Sequence, residues 1–253
     1  MPHRTEGTSR DGLFGLGNPH AIPSAHAPRR RLYGRIAGAA YLAIVVAAFT
    51  QSGLVQSQLI VPGDEALTAA HILAHPLRFR LGIVLVLIIY ASVIVASWAL
   101  FVVLRQVHAN FALLALLFRM AEAIVGATTV LISFAVWYLL SAEGSASVFE
   151  PAELHALAGR LLDAQTAGLD IVLLFVGVGA TLFCYLLFKS RAIPRPLAGW
   201  GIFTYLSMLF LALVSILIPD HPSALETVFY SAGGAFELVF GLWLLARPVR
   251  SFL

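Results

Sequence analysis

Six apolar runs, each long enough to cross a lipid bilayer, set what this chain can become. They cover about residues 32–55, 81–104, 111–140, 170–188, 197–218 and 225–246. A span needs about 20 mostly apolar residues to cross a hydrocarbon core about 30 Å thick. The runs are continuous rather than alternating, so helices are expected and barrel strands are not. Composition agrees. The chain is 60% hydrophobic and 11% charged, whereas a soluble domain has roughly 45–50% apolar and about 25% charged residues. An ordinary soluble enzyme, a disordered chain and a nucleic-acid binder are excluded. The expected fold is all-α: a polytopic membrane bundle of six transmembrane helices, with the lipid bilayer as its first partner. One cysteine, Cys184, sits inside an apolar run. It can form no intrachain disulfide and no cysteine-based metal cluster, and no cofactor is expected.

Residues 1–30 are different material, rich in Gly, Pro, Ser, His and Arg without an apolar period. They read as a disordered cytoplasmic tail ahead of a transmembrane domain at 31–250. Orientation follows from where Lys and Arg gather. Arg29, Arg30, Arg31, Arg35, Arg105, Lys189, Arg191, Arg195, Arg247 and Arg250 flank the spans on one side. Arg78, Arg80 and Arg160 flank them on the other. The positive-inside rule places both termini in the cytoplasm. The net charge of +3 is read the same way, not as affinity for an acidic partner.

Two outer segments are long enough to hold structure. After the turn Pro62-Gly63-Asp64, the stretch Glu65 to His75 has helical apolar spacing, with Asp64 as its N-cap. Between 141 and 169, Pro151 suits a first helical turn, and Leu154, Leu157, Leu161 and Leu162 form an apolar face. Short amphipathic helices on the outer membrane face are expected. The second can run on into the fourth span, with Gly168 as a bend.

Ionisable groups inside spans are the informative residues, because a charge at the bilayer centre costs roughly 2.5–3.5 kcal/mol on insertion scales. Arg119 and Glu122 are three apart and share a helix face. Helical rise puts Arg119 about 13 Å and Glu237 about 15 Å from the inner side. Arg119 is therefore expected to pair with Glu237, with Glu122 nearby. Two carboxylates around one arginine leave an excess negative charge, to be met by a proton, a cation or a further donor. Nearer the outer side, Arg80 and Asp170 form a second expected pair. His71 and His75 are four apart on the first outer helix, and His155 lies on the same side. Three imidazoles suit zinc, but the glutamate of a His-Glu-x-x-His motif is missing, and no metal is expected. Small residues at Gly34 and Gly38, at Gly177 and Gly179, and along Ser231–Ala235 read as close helix packing.

Several segments together resemble a family. They are Arg35-Ile36-Ala37-Gly38, Leu59-Ile60-Val61-Pro62-Gly63-Asp64, Phe79-Arg80-Leu81-Gly82-Ile83, Phe118-Arg119 with Glu122, Gly168-Leu169-Asp170-Ile171, Tyr185-Leu186-Leu187-Phe188, and Glu237. Their order and spacing, over roughly 32–247, are similar to the uncharacterised bacterial membrane family called domain of unknown function 4386. The resemblance implies a multi-helix protein of the bacterial plasma membrane. It implies no catalytic assignment.

Three functions remain open from the sequence. The first is a non-enzymatic membrane protein whose Arg119, Glu122 and Glu237 cluster binds or moves a small solute, ion or proton. The second is a structural or accessory protein whose buried charges only fix helix packing. The third is a membrane-surface enzyme acting on lipid through the outer histidines and acids. No Gly-x-Ser-x-Gly, Walker-type or Gly-x-Gly-x-x-Gly pattern in a loop supports an enzyme.

Overall fold

The computed structural model describes residues 26–141, 150–218 and 223–247. The expected tail lies outside the described residues up to residue 25, and helix α1 begins within its last part, at His26. Every described element is helical. Helix α1 spans His26–Gln51, passes through a π-helical turn at Ser52–Gln56, and ends in the short α2, Ser57–Leu59. Next come α3 (Glu65–Ala74), α4 (Pro76–Leu104), α5 (Ala109–Ser141), α6 (Pro151–Ser190), α7 (Arg195–Leu217) and α8 (Ser223–Ala246). Among the described residues six helices are long and apolar enough to cross a membrane.

Local chemistry sets the boundaries. Gly63 takes a φ of 78°, a conformation open to glycine because it has no Cβ, and so turns the chain into α3. The Asp64 carboxylate then accepts from the Leu67 amide at 2.8 Å, satisfying a donor that the first helical turn leaves unpaired. Pro76 and Pro151 occupy the first turns of α4 and α6, where a missing N–H costs nothing. Glu150 and Glu153 close a reciprocal cap on α6.

The spans form a closed ring. In order around it stand α1, α4, α5, α6, α7 and α8, and α8 packs back on α1. Lipid tails are as apolar as leucine, so close backbone approach, not water exclusion, holds such helices. Gly38 on α1 and Gly241 on α8 supply one approach: a Cβ on Gly38 would sit 2.8 Å from the Gly241 carbonyl oxygen. Gly177 gives α6 the same access to the backbone of Leu209 on α7. The outward faces are apolar, with Phe203 70% and Leu131 67% exposed. A water-soluble monomer does not carry such a surface all round; lipid is its solvent.

The core has two parts. The larger fills the half of the ring where α1 begins, around Tyr41, Leu100, Phe183, Tyr205 and Phe240. The smaller, with Leu59, Ile72, Phe79, Val136 and Ala158, joins the opposite ends of the helices to α3. Helix α6 has 40 residues, about 60 Å at 1.5 Å per residue, or twice the hydrocarbon thickness. The expected outer helix and the fourth span are thus one continuous element. Its extension carries α3, with Glu65 lying against Gly159. The buried face of α3, Ala69 and Ile72, therefore meets protein.

Candidate functional site

Two polar features sit inside the ring, one above the other. The lower is a layer to which every span contributes: Tyr41, Ser97, Arg119 with Glu122, Cys184, Tyr205 and Glu237. Helical rise from the ends of α5, α7 and α8 on the side where α1 begins puts Arg119, Tyr205 and Glu237 all at about 15 Å.

Arg119 is 1% exposed, and its Nη1 lies 2.6 Å from Glu122 Oε2. The angles of this contact fall short of a hydrogen bond, so it is an ion pair held by proximity and charge. Arg119 Nε donates to Ser97 Oγ over a long 3.4 Å. On the far side of the layer, the Tyr205 hydroxyl donates to Glu237 Oε1 at 3.1 Å. Arg119 remains within electrostatic reach of Tyr41, Tyr205 and Glu237. Gly179 on α6 makes room for this arrangement: a Cβ there would lie 3.1 Å from Arg119 Cγ and 2.9 Å from Phe118 Cβ.

The expected Arg119–Glu237 pair is therefore corrected. Among the described residues the ion pair of Arg119 is with Glu122. The two sit three apart on one helix, where they meet without any interhelical crossing. Glu237 arrives from α8 and is held first by the Tyr205 hydroxyl. The residues expected to share a layer do share it, with different pairings.

Above the layer lies a cavity of about 240 Å³ walled by α1 and its π turn, α4, α5 and α6. Its hydrogen-bonding lining is Gln51, Gln56, Tyr90, Thr129, Ser133 and Gln165, with Thr166 at the rim. Ser133 on α5 and Gln165 on α6 meet in its wall: the hydroxyl donates to Oε1 at 3.0 Å and accepts from Nε2 at 2.9 Å. Among the described residues no Asp, Glu, Lys, Arg or His lines the cavity. Tyr90 forms its floor. That ring lies across α5 only because residue 126 is glycine; a Cβ there would be 2.0 Å from Tyr90 Cζ. Tyr90 is in turn within electrostatic reach of Glu122, so one aromatic ring separates the cavity from the charged layer.

The outer residues are placed apart from this centre. The Arg80 guanidinium lies over the Trp137 ring, 5.4 Å from its centroid, a cation–π contact. Asp170 sits half-buried on α6, about 30 Å from the inner end of its helix against about 36 Å for Arg80. His71 is half-buried on α3, His75 is exposed at the α3–α4 junction, and His155 is on the α6 extension. Among the described residues no three His, Cys, Asp or Glu side chains are placed to share a metal ion.

A ring of six spanning helices, with its polar groups turned inward and its apolar faces outward, defines an integral multi-pass membrane protein. The chain belongs to the family described as domain of unknown function DUF4386, whose model matches residues 36–247. No curated protein and no solved structure gives a match.

The cavity residues were not conspicuous in the sequence. Ionisable residues stand out in an apolar run; Ser133, Thr129 and Tyr90 do not. The one available signal was Gln165 with Gln51 and Gln56, neutral amides at the edges of apolar runs.

Proposed function

We propose that this protein is a non-enzymatic membrane protein that binds a small solute in the cavity between α1, α4, α5 and α6. The charged layer beneath it has a packing role. The observation that carries this is the lining itself: hydrogen-bonding side chains from all four walls converge on one volume. A packed core has no use for such a convergence, because each buried polar group needs a partner. The π turn Ser52–Gln56 adds support. Such turns are rare and concentrate at functional sites, and this one presents Val55 and Gln56 to the cavity. The Arg119–Glu122 contact and the Tyr205–Glu237 bond use the layer's charges internally, and neither acid lines the cavity. That favours packing over solute contact as the role of the charges. We place the protein in a bacterial plasma membrane with both termini inside.

Cysteine accessibility tests the reading. Cys184 is the single cysteine and is buried, so an introduced thiol reports alone. Ser133→Cys should react with a small neutral thiol reagent in membranes, while Val136→Cys, at a fully buried position, stays silent. A Ser133→Cys protein as unreactive as Val136→Cys overturns the solute-site reading.

A further inference from the structure

Resting on that reading, we infer that the cavity selects an uncharged, hydrogen-bonding group of the amide, alcohol or carbonyl class and rejects carboxylates, ammonium groups, phosphates and metal ions. The argument is electrostatic. A charge taken out of water needs a counter-charge or several directed dipoles, or the transfer is prohibitive. Among the described residues the lining offers no ionisable side chain except the Tyr90 phenol. Of the fully buried charges, Arg119 and Glu122 are already committed to each other. Gly179 and Gly126 lock them behind the Tyr90 ring.

The donor and acceptor inventory fits a neutral guest. Three glutamine amides each offer both donors and an acceptor, the Ser133 and Tyr90 hydroxyls can each turn either way, and the Thr129 hydroxyl, which donates to the Gly126 carbonyl at 2.7 Å, is left to accept. Ser133 and Gln165 satisfy each other. A guest amide can insert between them and replace both bonds without stranding either partner. The remaining lining, including Phe79, Ile83, Val86 and Leu162, is apolar, so the guest carries a short hydrocarbon body. The cavity volume of about 240 Å³ has room for a guest of a few heavy atoms. This sets the size at that of a small amide or alcohol. The same chemistry could be presented by a free solute or by the uncharged head of a neutral lipid such as a diacylglycerol.

An isosteric series tests the class on the full chain in detergent: butyramide, butyrate and butylammonium, read by thermal shift and by ligand-observed NMR. Butyramide is expected to bind in the millimolar range, and the two ions at least tenfold more weakly. Gln165→Leu should weaken butyramide binding about tenfold; Ser133→Ala, which keeps the fold and removes one bond, should weaken it several-fold. Binding of butyrate or butylammonium as tight as that of butyramide overturns the class assignment while leaving the cavity reading intact. A cavity-filling Thr129→Leu protein that binds butyramide as well as wild type overturns the cavity as the site, and the class with it. Diacylglycerol in nanodiscs then separates the sources. If it competes with butyramide, the guest is presented by lipid; if it does not, the guest is a free solute. Failure of butyramide and diacylglycerol alike to bind overturns the inference.

Discussion

Removing Arg119 should damage the protein more than removing Glu122, and removing both should damage it less than removing Arg119 alone. The ion pair is 2.6 Å long, and with an effective dielectric of 20 its gross attraction is about 6 kcal/mol. Most of that is offset by desolvation, so the pair is worth little against an apolar replacement of both partners. Breaking it one-sidedly is another matter, costing about 3–5 kcal/mol because a buried charge is left uncompensated. The layer makes the two sides unequal. In Glu122→Gln, Arg119 still has Glu237 within electrostatic reach, so the cost falls near the bottom of that range. In Arg119→Met, two carboxyls face each other with no cation, and the cost reaches the top. Adding Glu122→Gln to Arg119→Met removes one of them and should recover about 2 kcal/mol, within the usual size of coupling between contacting residues. The assay is equilibrium unfolding in mixed detergent and denaturant micelles, with all four proteins compared at one composition. If the double variant is less stable than Arg119→Met by the full cost of Glu122→Gln, the sites are independent and the account of the layer is refuted.

Glycine substitutions should separate packing from helix propensity. Gly38→Ala places its methyl 2.8 Å from the Gly241 oxygen and should cost about 1–3 kcal/mol, whereas Gly234→Ala meets nothing within 4 Å and should gain about 0.5–1 kcal/mol. Thermal unfolding in one detergent checks the pair. Asp64→Ala removes the cap on Leu67; a loss of about 1 kcal/mol should appear as faster amide exchange in α3, with α4 unchanged. For orientation, a membrane-impermeant thiol reagent applied to intact cells should label His75→Cys and leave Lys189→Cys unlabelled; the opposite pattern reverses the assignment of the inner side.

The spans were legible in one dimension, because hydrocarbon thickness and obligatory backbone hydrogen bonding leave few other structures for runs of this length. The sequence also determined that Arg119 and Glu122 share a face, which depends only on the helical period, and that Asp64 caps α3, which depends on three neighbouring residues. It carried the boundary of the fourth span less well. No local signal stops a helix between Pro151 and Ser190, so the outer helix and the span became one element. Partner choice was the tertiary structure's to decide. Equal depth places Glu237 and Arg119 in one layer, but only the ring order and side-chain reach assign Glu237 to Tyr205 and Arg119 to Glu122. The cavity was also invisible in one dimension. Its walls come from four helices far apart in the chain, and Ser133 and Gln165 become partners only when α5 and α6 pack in register. Periodicity reports which face of a helix is buried; what that face meets is set by how the helices close on one another.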